Sequence, residues 1–209
     1  MKNIDRMVER SFYTQAAVTA ARNLLGKQLI REEHGELVSG FIIETEAYDG
    51  EQDEACHARS GKTKRNAVMY GEPGHAYVYF TYGMHWLLNC VTGAKGYPAA
   101  VLIRAVYPTR GLELIAKRRQ PIAPSHWCDG PAKLTRAFAI DGSLNGYDLC
   151  QPDGMLRLAD GITIPDTLVH TTPRIGINYA GEPWKSNPWR FEATITPETL
   201  MNQFDNSMI

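Results

Sequence analysis

The spacing of apolar residues along the chain predicts three short helices. The first covers residues 14–25, with Thr14 as its N-cap and Gly26 just after its end. Its apolar positions recur at the spacing of a helix face, at Ala17, Ala21, Leu24 and Leu25. The other two helices are predicted over residues 111–119 and 130–139.

Runs of apolar and β-branched residues predict strands, at residues 28–31, 37–47, 76–80, 85–91, 99–105, 175–179 and 189–195. The segment Thr81-Tyr82-Gly83-Met84 is a tight turn that joins two of them into a hairpin. Hairpin-connected strands with few helices are typical of a mixed α/β (α+β) domain with a mainly antiparallel sheet. No repeat or linker divides the chain, so residues 1–209 are predicted to form a single domain.

Composition and charge fit a reduced, cytoplasmic globular protein. With 44% hydrophobic and 22% charged residues, the 209-residue chain can build a substantial core. Its formal net charge of −1 means that a polyanion would have to be bound by a local basic face. No apolar run is long enough to cross a bilayer, which predicts no membrane partner. The four cysteines form no CxxC pair and are expected to be buried core thiols.

Two carboxylates at the end of an apolar run are the first candidates for chemistry. In the stretch FIIETEAY, Glu44 and Glu46 follow a predicted buried strand. Residues two apart in a strand share a face, so both carboxylates should point the same way. They could lie on a solvated face, paired with arginines, or at least one could be a general base in a cleft. Periodicity does not choose between these alternatives.

Tyrosines cluster around the predicted hairpin turn. Tyr77 and Tyr79 should share one face of a strand, where a core role is the usual explanation. Tyr82, beside Gly83 in the turn, should project outward. It could pack at an edge, or it could act as a wedge that inserts between stacked bases.

Two groups of basic residues could present positive charge to phosphates. Lys62, Lys64 and Arg65 lie in one predicted loop, and a second run covers residues 117–119. A charge run is most often a solvated face. A local cationic side could still bind nucleic acid despite the near-neutral total charge.

Six stretches of the chain, taken together, carry a specific resemblance. They occur in order between about residues 40 and 191, as FIIETEAYDG, DEACHARSGKTKRN, MYGEPGHAYVYFTYGMHWLLNCV, AVLIRAVYP, DGPAKL and RIGINYAGEPW. Together they resemble the alkyladenine (3-methyladenine, or methylpurine) DNA glycosylase family. The resemblance implies a curved antiparallel β-sheet surrounded by helices, with a protruding β-hairpin on the DNA-binding face.

The resemblance also implies an activity and its catalytic residues. The family are monofunctional glycosylases, which flip a damaged purine out of the duplex and hydrolyse its N-glycosidic bond. The expected substrates are 3-methyladenine, 7-methylguanine, hypoxanthine and ethenoadenine, and the product is an abasic site. By matching position, Glu46 activates the attacking water, and Arg104 holds that water or the flipped nucleotide. Glu44 would have a structural role, and neither a cofactor nor a metal is implied.

The same matching implies a pocket for the flipped base. Tyr48, His57 and Tyr79 would sandwich the base, which suits a broad substrate range because stacking tolerates many bases. Asn89 would exclude guanine through its exocyclic amino group, and Leu102 would line the pocket.

Contacts with the duplex are implied at two further places. Tyr82 and Met84 would intercalate at the hairpin tip, and Lys64 and Arg65 would contact phosphates. The expected partner is double-stranded DNA containing damaged purines, bound by a monomer. A compact bacterial enzyme, cytoplasmic and associated with the nucleoid, is the expected setting.

Two other classes of function stay open at the level of sequence. A hydrolytic metalloenzyme could use Glu44, Glu46 and His57 with His126 or Cys128, although their spacing matches no zinc signature such as HExxH. A non-catalytic damaged-DNA-binding module could use the Tyr82 wedge and the basic loops without cutting any bond.

Overall fold

An antiparallel sheet of eight strands organises residues 6–195, the part of the chain that this computed structural model describes. The strands are β1 (Gln28–Glu33), β2 (Glu36–Asp49), β3 (Ala76–Thr81), β4 (His85–Val91), β5 (Ala99–Arg110), β6 (Leu156–Ala159), β7 (Val169–Thr172) and β8 (Arg190–Ala193). The main path of the sheet is β3-β4-β5-β2-β1-β6, and β8 pairs with both β2 and β7. The predicted α+β class with an antiparallel sheet is confirmed.

The helices are few and short. They are α1 (Arg10–Tyr13), α2 (Ala17–Leu24), α3 (Leu112–Arg119) and α4 (Pro131–Ala137), with 3₁₀ turns at Ala67–Tyr70, Pro124–His126, Gly142–Leu144 and Asp166–Leu168. The longest has eight residues, so the helices flank the sheet in places and do not enclose it. Within residues 6–195 no helix has the length and apolar character needed to span a lipid bilayer.

Two of the local predictions are wrong. The first long helix begins at Ala17 with Ala16 as its N-cap, because Thr14 instead ends α1 and its hydroxyl donates to the Ser11 carbonyl at 2.7 Å. Residues 175–179 form turns instead of a strand. Gly26 does follow α2 with a φ of +81°, the left-handed conformation expected after a helix end.

The sheet packs α2 into the main hydrophobic core. The buried face of α2 consists of Ala17, Ala20, Ala21 and Leu24. Small alanines let the helix approach β2 closely, where the Thr45 hydroxyl donates to the Ala21 carbonyl at 2.8 Å. Three of the four cysteines are buried as expected, and Cys150 is half-buried.

Strand β2 has neighbours on both edges over much of its length. On one edge it pairs with β5, and on the other it pairs first with β1 and then with β8. Glu44 to Glu46 therefore lie between β5 and β8, inside the sheet. The pairing with β5 shifts register on both sides of Glu44, which leaves Ile43 on β2 and Arg104 on β5 without a direct partner. These β-bulges set which side chains of the two strands meet.

The predicted hairpin is formed by β3 and β4. Tyr82 and Gly83 have positive φ angles of 51° and 67°, and the Met84 amide donates to the Thr81 carbonyl at 3.2 Å. Two successive left-handed residues match the twist of a tight hairpin. The tip is open, with Tyr82 84% and Met84 68% exposed. The outward projection of Tyr82 is confirmed.

Gly40 is a position where the sheet leaves no room for a side chain. A Cβ there would lie 2.4 Å from the Tyr107 carbonyl oxygen and 2.7 Å from the Pro108 Cα. Gly40→Ala should therefore lower the free energy of unfolding by about 1–3 kcal/mol, because backbone atoms of β5 have to move. Urea denaturation measures this change.

Gly130→Ala is the matched control for that substitution. A Cβ at Gly130 meets nothing closer than the Lys133 side chain at 3.7 Å. A similar loss of stability in both variants would contradict the crowding at Gly40.

Candidate active site

A cavity of about 290 Å³ opens beside the hairpin. The pocket residues implied by the resemblance all line it, together with Arg104; the set is Tyr48, His57, Tyr79, Asn89, Leu102 and Arg104. Four neighbouring strands and the loop after β2 supply these side chains. The volume lies near the lower end of the range for small-molecule sites, roughly 300–1,000 Å³. A planar group of the size of one base suits such a space.

Glu46 is fully buried and does not itself line this cavity, but it contacts three residues that do, Tyr48, Arg104 and Ile175. Its Oε2 accepts a hydrogen bond from the Tyr48 hydroxyl at 2.8 Å and forms an ion pair with Arg104 Nη1 at 3.2 Å, and its Oε1 accepts from the Ile175 amide at 2.7 Å. A carboxylate has about four acceptor positions. The two hydrogen bonds and the ion pair thus orient the group and leave acceptor capacity for a further partner.

Arg104 joins the two carboxylates of the FIIETEAY stretch. Its Nε donates to Glu44 Oε1 at 2.7 Å, while its Nη1 pairs with Glu46. Burial alone would lower the pKa of Arg104, but Glu46 and Glu44 outweigh it and raise that pKa, so the guanidinium stays charged. Arg190 Nε also binds Glu44 Oε1, at 2.6 Å.

The expectation that the two glutamates share a face is met, because both contact Arg104. Their side chains are only 9% and 0% exposed, for Glu44 and Glu46 respectively. The alternative of a solvated face is therefore wrong, although both carboxylates do pair with arginines. Glu44, held by two guanidinium groups, orients Arg104 and does not line the cavity.

Tyr48 is the hydroxyl donor to Glu46. Burial, followed by the nearby Glu46 carboxylate, raises the pKa of Tyr48 well above its ordinary value. The phenol therefore keeps its proton at neutral pH and acts as a fixed donor. Its ring lines the cavity, so one side chain contacts both the carboxylate and the ligand space.

Aromatic rings form one wall of the cavity. The rings of His57 and Tyr79 meet edge to face at 4.5 Å, and Tyr77 stacks on Tyr79 at 5.4 Å. His57 Nδ1 lies 2.9 Å from the Tyr77 hydroxyl. Tyr77, expected only in the core, is buried and also lines the cavity.

Asn89 is fixed on the neighbouring strand, opposite Leu102. Its Nδ2 donates to the Tyr77 carbonyl at 3.0 Å, and its backbone pairs with Leu102 across β4 and β5. The amide is buried and lines the cavity. A fixed amide at this place can select a ligand by the position of its donors and acceptors.

Comparison with known proteins identifies the family. The model of the methylpurine-DNA glycosylase family matches residues 11–197, most of the chain. This chain belongs to that family. It is therefore a DNA glycosylase, an enzyme that hydrolyses N-glycosidic bonds in DNA.

Curated relatives agree over nearly the whole length. A protein of Carboxydothermus hydrogenoformans is 48% identical over 185 residues, which cover 88% of this chain and 94% of the relative. A protein of Methanocella arvoryzae is 47% identical over 186 residues, covering 88% and 91%. A third, from Prosthecochloris aestuarii, is 43% identical over 198 residues, covering 92% and 94%. Each is named "Putative 3-methyladenine DNA glycosylase".

The two basic groups considered from the sequence differ in the structure. Lys64 and Arg65 are exposed near the cavity, and the Arg65 guanidinium stands 5.3 Å from the centre of the Tyr79 ring. In the second run, Arg118 pairs with Glu33 at 2.8 Å, and Arg119 is buried. Residues 117–119 therefore do not form an open cationic patch in this glycosylase.

The metal-site hypothesis has no matching geometry in the described part of the chain. No group of three or more His, Cys, Asp and Glu side chains is arranged there to hold a metal ion. Glu44 and Glu46 contact arginines, His126 pairs with Asp129 at 2.7 Å, and Cys128 is buried in the core.

Sequence reasoning missed the segment between β7 and β8. Ile175 supplies an amide to Glu46, and Ile175 and Tyr179 both line the cavity. The stretch RIGINYAGEPW carries part of the family resemblance, but the resemblance implies no role for its individual residues. The Ile175 amide could not be predicted as a donor, because a single backbone amide in a turn has no sequence signature. The strand predicted at this place was also wrong.

The pKa of His57 should depend on the positive charge of Arg65. Partial desolvation of the ring, followed by the positive charge of Arg65, lowers the pKa of His57 below its ordinary value of 6.5. Because the residue keeps an exposed surface that can hydrate the cation, we expect the folded-state midpoint to lie between about 4 and 6.5. Arg65→Gln should raise the midpoint, and Lys64→Gln should leave it unchanged. NMR titration of the imidazole measures both, and no upward shift with Arg65→Gln would contradict the role of that charge.

The lowered pKa of His57 also makes the stability of the fold depend on pH. Protonation of His57 is harder in the folded state than in the unfolded chain, whose ordinary value is about 6.5. Stability should therefore decrease as the pH falls from about 6.5 towards the folded midpoint.

Proposed function

We propose that this glycosylase excises alkylated and deaminated purines from double-stranded DNA, using a water activated by Glu46. The observation that carries the proposal is the buried Glu46 carboxylate, held by three residues that line the aromatic cavity, Tyr48, Arg104 and Ile175. The names of the relatives support 3-methyladenine as one substrate. 7-Methylguanine, hypoxanthine and ethenoadenine are the further substrates proposed.

The reaction needs a fixed carboxylate close to the sugar. As the bond between the anomeric carbon and the purine nitrogen breaks, its electron pair leaves with the purine, and positive charge develops on the sugar. The oxygen of a water bonds to the anomeric carbon, and Glu46 takes the proton of that water. The acceptor position that Tyr48, Arg104 and Ile175 leave unused is available for this water. Arg104 keeps the carboxylate oriented for the transfer.

The pocket is suited to cationic and neutral purines alike. An N-alkylated purine carries positive charge, and the faces of tyrosine rings attract cations. Because its pKa is lowered, His57 is neutral at physiological pH and does not repel such a base. We propose that Tyr48, His57 and Tyr79 stack on the flipped base and that Leu102 closes the pocket. Asn89 would reject guanine by meeting its exocyclic amino group.

The exposed hairpin tip is proposed to contact the duplex. Tyr82 and Met84 carry large apolar surface into solvent, which suits insertion into the gap left by a flipped nucleotide. Lys64 and Arg65 lie near the same opening and would contact phosphates. We propose a monomer that acts on chromosomal DNA, which places the enzyme in the cytoplasm at the nucleoid.

A glycosylase assay tests the proposal directly. Duplexes carrying 3-methyladenine, 7-methylguanine, hypoxanthine or ethenoadenine are incubated with the enzyme, and abasic sites are detected by cleavage in alkali. Release of the damaged purine with an intact strand before alkali is the expected result. Tight binding of the lesion without abasic product would favour the non-catalytic module instead.

Replacement of the proposed base separates chemistry from binding. Glu46→Gln keeps the size of the side chain but cannot take a proton, so the single-turnover excision rate should fall by roughly 10²–10⁴-fold. The Kd for a lesion duplex should change little. Glu113→Gln, on the exposed face of α3, is the control and should excise normally. Robust excision by Glu46→Gln would remove this residue from the mechanism.

Removal of the hairpin tyrosine should weaken binding. Tyr82→Ala should reduce affinity for a lesion duplex by about 1–3 kcal/mol, the scale of one stacking contact. Fluorescence anisotropy measures the Kd, with Tyr97→Ala as a control, because Tyr97 is 46% exposed but does not line the cavity. An equal Kd for Tyr82→Ala and the unaltered enzyme would make Tyr82 only a turn residue.

A further inference from the structure

A buried ion pair contacts the part of β2 that directly follows the proposed catalytic carboxylate. The side chains of Arg174 and Asp53 are both fully buried. They pair through two parallel contacts, Nη1 to Oδ2 at 2.5 Å and Nη2 to Oδ1 at 2.9 Å. Such bidentate geometry fixes the orientation of both groups. Neither residue lines the cavity, so the pair does not contact the ligand space.

The pair connects three segments that meet at the site. The Arg174 guanidinium also donates to the carbonyls of Ala47 at 2.8 Å and Trp184 at 3.2 Å. Its face lies 4.8 Å from the centre of the Tyr48 ring. The Asp53 carboxylate accepts in addition from the backbone amides of Asp49, at the end of β2, and Ala55, in the loop that follows.

The position of Arg174 in the chain links this pair to Glu46. The next residue, Ile175, donates its amide to Glu46 Oε1 at 2.7 Å. Arg174 also contacts Ala47 and Tyr48, which follow Glu46 in β2. The side chain of Arg174 thus binds the strand on which Glu46 lies, and the next residue along the backbone is one of the two hydrogen-bond donors to Glu46.

Stability alone is a weak reason for such a pair. Removing two charges from water costs several kcal/mol per ion, and replacing buried pairs with apolar side chains is often neutral or stabilising. A charged pair fixes the orientation of its two side chains relative to each other, which apolar contacts do not do. The planar guanidinium binds its carboxylate through two parallel contacts in one orientation.

We propose that Arg174 and Asp53 are positioning residues, which hold the Ile175 amide against Glu46. This inference rests on the proposed role of Glu46. Without the pair, the turn at residues 174–176 can shift, and the carboxylate loses a fixed donor. A carboxylate that has lost an N–H donor takes up a proton more readily and is less often available to accept one from water.

The test replaces the whole pair, so that no unpaired charge stays buried. In the variant Arg174→Met with Asp53→Leu, the single-turnover excision rate on a hypoxanthine duplex should fall by about 10–100-fold, the scale of a displaced reacting group. The Kd for that duplex should change little, and the acid limb of the pH–rate profile should move to higher pH. Hydrogen exchange of the Ile175 amide should become faster.

The matched control is a second long-range ion pair. Arg10 and Asp148 join distant parts of the chain at 2.7 Å, away from the cavity. Arg10→Met with Asp148→Leu should leave the rate, the pH profile and the Ile175 exchange as in the unaltered enzyme. If the main double variant does not fold, Arg174→Lys gives the same readouts, because a lysine cannot reproduce the bidentate contact.

Each result decides between positioning and structure. If the Ile175 amide of the double variant exchanges at the same rate as in the unaltered enzyme, the inference is overturned, whatever the activity. A lower melting temperature with an unchanged rate and pH profile would also overturn it and make the pair purely structural. Failure of the unaltered enzyme to excise would instead refute the proposed function, and the exchange measurement would still report on the Ile175 contact.

Discussion

The burial of one carboxylate inside an antiparallel sheet constrains the rest of this structure. Glu46 has neighbours on both strand edges and no exposed surface, so its charge can be stabilised only by donors supplied by the protein. Those donors come from three directions, namely Tyr48 on the same strand, Arg104 on β5 and the Ile175 amide from the segment before β8. The segment between β7 and β8 therefore contributes a contact to the buried carboxylate as well as a connection in the fold.

The surroundings of Arg104, Tyr48 and His57 hold each of these side chains in one protonation state. Arg104 stays cationic because two carboxylates flank it, and Tyr48 stays a neutral donor because it is buried beside Glu46. His57 is held neutral by its crowded surroundings and by Arg65. The aromatic wall of the cavity is therefore neutral, and the positive charge of Arg104, which also lines the cavity, is paired with Glu44 and Glu46.

Much of the architecture could be predicted from local sequence patterns. Strands β1–β5 and β8, the hairpin and the helix ended by Gly26 follow from apolar spacing and turn residues, which act over a few neighbouring positions, whereas the four-residue strands β6 and β7 were not predicted. The exposed Tyr82 was predictable for the same reason. The pocket side chains were predictable only through the family resemblance. The strand expected at residues 175–179 was wrong because the contacts that shape this segment lie far away in sequence.

Local patterns were enough to predict an α+β domain, a pair of glutamates after an apolar run, and a tyrosine at the tip of a turn. Which carboxylate accepts hydrogen bonds from Tyr48 and Ile175, and which one is bound by two arginines, depends on the folded structure. The Ile175 amide and Glu46 are 129 positions apart, and Arg174 and Asp53 are 121 apart. Contacts over such separations depend on sheet register, and the register shifts on either side of Glu44 come from packing against β5, which no local pattern encodes.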